Sequence, residues 1–122
     1  MNSKRISLLK YRGDHSSLYT GRPQGLETRK ELELDKNDNA KNQVTFIIPK
    51  GTTSFNPSFF LGLLFDSIRN LGIEDFDKYY NFEIEETEPS IIKVLKENLE
   101  DAKRNAKNAL LYTSNTKRLL KG

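Results

Sequence analysis

The sequence predicts an α/β domain, and three stretches support this. Residues 44–48 form a short apolar, β-branched run before a proline, which is typical of a strand buried on both faces. Residues 57–71 continue with an apolar pattern of helical period. A second strand pattern at 81–86 precedes a long helical pattern that begins at residue 89. Strands that alternate with helices define the α/β class.

Size and composition limit the possible functions. At 122 residues and 14.1 kDa, the chain is expected to form one domain around one core. There is no cysteine, which excludes a disulfide scaffold, a thiolate metal site and a cysteine nucleophile. The single histidine, His15, cannot form a histidine metal cluster. No stretch resembles a signal sequence or a membrane span, so we expect a cytoplasmic protein. Neither a cofactor nor a metal is expected.

The N-terminal third contains weaker patterns. Residues 5–11 alternate in part and predict a first strand, and a short strand is considered at Leu18-Tyr19. A helix is expected from Pro23, and its thin apolar stripe suggests that it lies on the surface. Residues 35–42 are turn formers and predict a polar connector.

The central helix has clear end signals. Asn56 is suited to the N-cap, Pro57 to the first helical position, and Gly72 to the left-handed position after the helix. Phe59 and Leu63 fall on a flank shared with polar residues, so either they form a protein-binding face or a neighbouring helix covers them. The predicted core-facing stripe consists of Phe60, Leu61, Leu64, Ile68 and Leu71.

The C-terminal half predicts a short helix, a strand and a long helix. Residues 73–80 suggest a helical turn, and in the strand that follows Phe82 and Ile84 point inward while the acidic residues face solvent. The long helix starts at Pro89. Its apolar stripe consists of Ile91, Leu95, Leu99, Ala102 and Ala106.

Charge is distributed unevenly along the chain. Residues 1–50 carry ten Lys/Arg against six Asp/Glu, residues 51–88 carry two against eight, and residues 89–122 carry eight against three. No acidic residue follows Asp101. A basic end of this kind is either a solvated helix face or a surface for nucleic acid or an acidic protein.

Two segments resemble a known family. A Gly-Arg turn at Gly21-Arg22 precedes a helix with a basic residue, and Ser54-Phe55 precedes the central helix. Together they resemble the STAS-like family of small prokaryotic and phage proteins, which look like the anti-sigma-factor antagonist domain. The resemblance covers residues 5–105. It implies a mixed sheet with helices packed on it, within a domain of residues 1–108 followed by a basic tail or helix extension at 109–122.

The same resemblance implies a site. In such antagonists, a partner kinase with a histidine-kinase-like ATPase fold phosphorylates a Ser or Thr in the loop before the helix. The equivalent position here is Ser58, with Ser54 or Thr53 as less direct candidates. Pro57 departs from the pattern, because it occupies one of the candidate hydroxyl positions. A phosphate on Ser58 would lie in the first helical turn, where free N–H groups favour an anion.

The first functional hypothesis is a non-enzymatic regulatory module that binds a protein partner through residues 51–58 and the start of the central helix. The residues assigned to this contact are Ser54, Phe55, Asn56, Ser58, Phe59 and Leu63.

Other functional hypotheses are also consistent with the sequence. Nucleic-acid or nucleotide-phosphate binding would use Arg22, Arg29 and Lys50 together with the basic C-terminus. A phage-encoded inhibitor of a host defence complex would have much the same features, and a homo-oligomer is also considered. Catalysis is not expected, because His15 has only neighbouring serines and no third group to orient it.

Overall fold

A computed structural model describes residues 3–12, 17–19 and 21–121, with side chains described as far as Leu111. His15 and Ser16 therefore lie outside the described residues. The elements in chain order are β1 (Ser3–Ser7), a 3-10 turn (Leu9–Arg12), β2 (Leu18–Tyr19), α1 (Arg22–Glu31), α2 (Leu34–Ala40), β3 (Gln43–Ile48), β4 (Ser54–Phe55), α3 (Pro57–Leu71), α4 (Ile73–Tyr79), β5 (Tyr80–Ile84) and α5 (Pro89–Lys121). The α/β class predicted from sequence is confirmed.

The strands form two small parallel sheets. One has the order β1-β3-β5, and Ile6, Phe46 and Phe82 are in register across it. The other pairs β2 with β4. The expectation of a mixed sheet is wrong for the described residues, because every strand pair among them is parallel. Helices connect successive strands of the larger sheet. Each crossover returns the chain to the edge at which the previous strand began, so the next strand runs parallel to it.

Helices cover only one face of the larger sheet. Along β3, Val44, Phe46 and Ile48 are buried, whereas the residues between them are half-buried. The prediction of a strand buried on both faces is therefore wrong. Successive right-handed crossovers in one direction place their helices on the same side, which leaves the other side open. On that open side, Arg5 of β1 and Glu83 of β5 form an ion pair over the central strand β3, with N and O 2.5 Å apart.

An aromatic core fills the space between the sheet and α3. The ring of Phe60 lies 5.8 Å from that of Phe82 and 6.4 Å from that of Phe76, measured between centroids. Phe46 and Tyr80 stack at 6.0 Å. Burying such rings is a main source of the stability of a small domain.

The caps of α3 agree with the sequence. The Asn56 side chain accepts a hydrogen bond from the Ser58 backbone N–H at 2.7 Å, and Pro57 is the first helical residue. Gly72 follows the helix with φ of 85°, a backbone conformation that favours glycine. These signals are local, so sequence alone was sufficient to find them.

Two glycines allow α1 to lie directly on α3. A Cβ at Gly25 would be 2.2 Å from the Phe59 carbonyl oxygen, and one at Gly62 would be 2.2 Å from the Arg22 carbonyl oxygen. The backbones therefore touch where they cross. The expected surface position of α1 is wrong in this respect, because one side of the helix is packed against α3 even though its apolar stripe is thin.

Residues 34–40 form α2 instead of the predicted polar connector. Glu33 before it and Lys41 after it are left-handed, with φ of 54° and 55°. Leu34 is buried, and Asp35 and Asp38 bind the Arg29 side chain. Tertiary contacts thus hold a helix that the composition does not favour.

The last helix is the longest. Leu95, Leu99, Ala102 and Ala106 are buried along one stripe, as predicted, and Ile91 is half-buried. The backbone continues as helix to Lys121, through residues 109–121. No helix in the described part of the chain combines the length and the apolar character needed to cross a membrane.

Candidate interaction surface

Three residues assigned to partner binding are in the core. Phe55, Phe59 and Leu63 have no exposed surface. Phe59 and Leu63 lie where Gly25 crosses α3, and the Phe55 ring packs between Tyr19 and Phe59 at 5.0 and 5.3 Å. Their assignment to a free contact face is therefore wrong, because α1 crosses α3 at Phe59 and Leu63 and neighbouring aromatic rings cover Phe55.

The other three assigned residues stand at or near the surface. Ser58 is exposed in the first turn of α3, whereas Asn56 is half-buried and serves as the N-cap. Ser54 is half-buried in β4, opposite Leu18. On accessibility, Ser58 is therefore a better candidate for modification than Ser54.

Arg29, which was assigned to an anion site, is buried and bound by the protein itself. Its guanidinium donates to Asp35 at 2.6 Å and to Asp38 at 2.9 Å. It also donates to the Leu63 carbonyl oxygen at 2.9 Å and to the Ser67 hydroxyl at 2.7 Å. With these partners, Arg29 is not available to an external phosphate, and its assignment to the anion site is wrong.

The carboxylate of Asp38 is the centre of this buried cluster. It accepts hydrogen bonds from the Arg29 guanidinium, from the Ser67 hydroxyl at 2.8 Å and from the Tyr80 hydroxyl. Burial opposes the charge on Arg29, but the hydrogen bonds of Asp35 and Asp38 outweigh it and raise the pKa of Arg29. The cluster therefore joins α1 and α2 through paired charges, and α3 and β5 bind to it through the hydroxyl groups of Ser67 and Tyr80.

Arg22 and Lys50, the other two residues of the expected anion site, are exposed. The Arg22 guanidinium lies over the Phe65 ring, 5.7 Å from its centroid. Such a contact is attractive because the face of an aromatic ring is negative. Without Arg29, the expected set is reduced to these two exposed cations.

The loop of residues 49–53, called the edge loop below, follows β3 at the carboxyl end of the larger sheet. The Arg12 side chain donates to the Lys50 carbonyl oxygen at 3.2 Å and to the Thr52 hydroxyl at 3.0 Å. The Thr53 N–H donates to the Ser17 carbonyl oxygen at 2.9 Å. The segment between β1 and β2 therefore holds the loop in place.

Glu86, which lies just after β5, also holds the edge loop. Its carboxylate accepts hydrogen bonds from the N–H groups of Gly51 at 3.2 Å, Thr87 at 2.9 Å and Glu88 at 3.3 Å. These bonds lower the pKa of Glu86, with Gly51 contributing most. Gly51 itself has φ of 93°, which glycine adopts without strain.

Apolar side chains lie on the segments that hold the edge loop. Leu9 and Leu18 are 53% and 43% exposed. Leu9 belongs to the turn that carries Arg12, and Leu18 follows Ser17. Sequence reasoning missed Arg12 and Glu86, because they meet the loop from distant segments and no local motif marks them.

The fold and this surface define a single-domain α/β protein with a one-sided parallel sheet and a fixed, exposed loop at its carboxyl edge. Comparison with family models, with curated proteins and with solved structures found no match. The STAS-like resemblance stays a prediction.

Proposed function

We propose that the protein is a non-enzymatic regulatory module that binds a protein partner through the edge loop and the first turn of α3. The observation that carries the proposal is that the edge loop is exposed at Lys50, Gly51 and Thr53 and yet fixed by Arg12 and Glu86. A loop that is already ordered loses little conformational entropy on binding.

The chemistry around the loop suits a protein partner. Exposed leucines at Leu9 and Leu18 beside polar backbone are the mixture expected of a protein contact, in which an apolar centre is surrounded by polar groups. Lys50 and Ser58 supply exposed polar groups on the same stretch of chain. The proposal thus keeps the predicted segment 51–58 but replaces Phe55, Phe59 and Leu63 by the exposed leucines.

Cross-linking in the cells that produce the protein tests this surface. A photoreactive amino acid is placed at Thr53, at Ser58 and, as a control, at Glu74. Glu74 is exposed on α4, which leads into the amino end of β5 and so belongs to the opposite edge of the sheet. We expect Thr53 and Ser58 to label the same protein and Glu74 not to label it. Labelling from all three positions, or from none, contradicts the proposal.

The Leu9→Asp substitution tests whether the exposed leucines belong to the contact that the cross-links detect. Leu9→Asp should reduce the labelling yield from Thr53 by about tenfold or more, since an apolar contact is replaced by a charge that must be desolvated. The urea unfolding midpoint should be unchanged, because Leu9 is mostly exposed. Unchanged labelling would show that Leu9 lies outside the contact.

Phosphorylation at Ser58 is the regulatory part of the proposal. The Ser58 side chain is exposed, and a phosphate there would lie at the N-terminal end of α3, where the helix dipole favours a negative charge. Mass spectrometry of the protein recovered from its own cells should find the phosphate on Ser58. A histidine-kinase-like ATPase among the cross-linked proteins would further support the resemblance to the STAS-like family.

The nucleic-acid alternative makes a different prediction. Contacts from Arg22, Lys50 and the basic C-terminus would release counterions, so the affinity for DNA or RNA should fall steeply between low and high salt. Nuclease-sensitive adducts at Thr53 would favour this alternative over a protein partner.

A further inference from the structure

The outer side of α5 carries a shallow groove of about 480 Å³. This side lies away from the buried stripe that contains Leu95 and Leu99, and it is separate from the edge loop. The residues that line the groove, called the outer stripe below, are Pro89, Ile92, Lys93, Lys96, Glu97 and Glu100. Their spacing of three and four residues places them on one side of a helix.

The four charged residues of the outer stripe are exposed and form no ion pair with the described part of the chain. Other surface charges do pair within their own helices, at a separation of three residues. Those pairs are Glu33–Lys36, Asp66–Arg69, Asp75–Lys78 and Asp101–Arg104. In the outer stripe each lysine precedes its glutamate by four residues, which is the less favourable order for pairing within a helix.

The order of these charges is complementary to itself. Lys96 and Glu97 lie equally far from a point midway between them, and so do Lys93 and Glu100. Two copies of α5 that run antiparallel about a two-fold axis through that point would place each lysine opposite a glutamate of the other copy. In an interface with two-fold symmetry every such contact occurs twice, so four ion pairs result. Parallel alignment in the same register would instead bring like charges together.

We propose that the protein forms a dimer in which the outer stripes of two α5 helices pack antiparallel about an axis between Lys96 and Glu97. Ile92 supplies an apolar contact, and Pro89 lies level with Arg104 of the partner subunit. The overlap between these positions is about 24 Å of helix. A helix contact of this length is short, so the dimer requires further contacts.

The basic end of α5 supplies those contacts. α5 continues to Lys121, and no acidic residue follows Asp101. In the antiparallel arrangement this end passes the start of the partner's helix, where the acidic residues Glu85 and Glu88 precede Pro89. The basic and acidic segments of the sequence thus meet twice, once on each side of the axis.

Sedimentation of the full chain tests the dimer. The wild type should approach twice the mass of one 14.1 kDa chain as its concentration rises, and added salt should weaken the association. An acidic variant carries Lys93→Glu with Lys96→Glu, and a basic variant carries Glu97→Lys with Glu100→Lys. Each variant alone should dimerise at least about tenfold more weakly, since all four ion pairs become like-charge contacts.

Mixing the two variants tests whether the outer stripes of two copies contact each other. In an equimolar mixture, every changed residue of one variant meets an opposite charge on the other, so a dimer of the two should form. Lys30→Glu, an exposed change on α1, is the matched control and should leave dimerisation unchanged. Circular dichroism should show the same helix content in all the variants, because the substituted residues are exposed.

Two results would overturn the proposal. One is a wild type that remains at the mass of a single chain over the whole concentration series. The other is a mixture that dimerises no better than its components. If the basic variant binds DNA more tightly, the acidic variant loses DNA binding and mixing restores nothing, then the outer stripe contacts nucleic acid and not a second copy.

Discussion

Arg29 and Asp38 are buried and bound by several groups, whereas Lys93 and Glu100 are exposed and have no ion-pair partner within the described chain. Each set contains one basic and one acidic residue, yet one set is buried and the other is in contact with water. A buried charge must be paired or it destabilises the fold, and an exposed charge is stable in water on its own. The buried cluster therefore acts on folding, while the outer stripe is free to act on association.

The largest expected effect comes from breaking the buried cluster. Asp38→Ala removes the buried carboxylate that accepts hydrogen bonds from Arg29, Ser67 and Tyr80, and leaves the buried guanidinium paired at short range only with the exposed Asp35. Breaking this buried pair should lower the free energy of unfolding by about 3–5 kcal/mol. Asp101→Ala is the control, because Asp101 pairs with Arg104 at 3.0 Å on the surface. That change should cost less than about 1 kcal/mol. Urea unfolding measures both, and similar losses would mean that the buried cluster contributes no more than a surface pair.

The helix crossing that encloses the cluster is the next most sensitive feature. Gly62→Ala adds a Cβ that would be 2.2 Å from the Arg22 carbonyl oxygen, so α1 must move away from α3. Overpacking of this kind costs about 1–3 kcal/mol or more. Asn105→Ala, at an exposed position of α5, should be neutral or slightly stabilising. If both variants unfold at the wild-type urea concentration, the backbones are not in close contact.

Alkaline pH should weaken the cluster through Tyr80. Burial, reinforced by the hydrogen bond to Asp38, raises the pKa of Tyr80 to about 12. Because the folded-state pKa lies above the value of about 10 in an unfolded chain, this contribution to stability is complete below pH 10 and is lost as the pH rises towards 12. Unfolding measured across this range should show stability decreasing.

The Tyr80→Phe variant distinguishes the contribution of Tyr80 to this loss from that of the other buried tyrosine, Tyr19. Burial also raises the pKa of Tyr19, so some alkaline loss should persist in this variant. The decrease in stability between pH 10 and 12 should nevertheless be smaller than in the wild type. An equally steep decrease would assign the effect to groups other than Tyr80.

The smallest effect is expected where a charge pair lies on the surface. Arg5 and Glu83 pair on the open side of the sheet, and their side chains are 62% and 45% exposed. Glu83→Gln should cost less than about 1 kcal/mol at low salt and nothing measurable at high salt, since water and ions screen exposed charges. A loss that persisted at high salt would indicate that the pair stabilises the sheet by more than charge attraction.

Local patterns predicted several elements well. Asn56, Pro57 and Gly72 set the ends of α3 as expected, because capping depends on residues next to the helix. The stripe of Leu95, Leu99, Ala102 and Ala106 is buried as expected, because helical periodicity is a property of the segment itself. The short strand considered at Leu18-Tyr19 is also present, although it forms by pairing with β4, which is distant in the sequence.

The candidate surface was predicted only in part. The segment 51–58 does include exposed positions, of which Ser58 is one. Phe59 and Leu63 were ambiguous on the helical wheel, because a wheel shows which residues share a side but not whether another helix covers it. The contacts of Arg12 and Glu86 with the edge loop join segments far apart in sequence and have no local signature.

The sequence by itself determined the α/β class, the ends of α3 and the buried stripe of α5, since these follow from interactions between residues that are near each other along the chain. Only the tertiary structure decided that Gly25 and Gly62 bring two helices into contact, that Arg29 is enclosed and that one face of the sheet is open. Each of these depends on which distant segments meet, because burial and charge pairing are properties of the surroundings and not of the residue type.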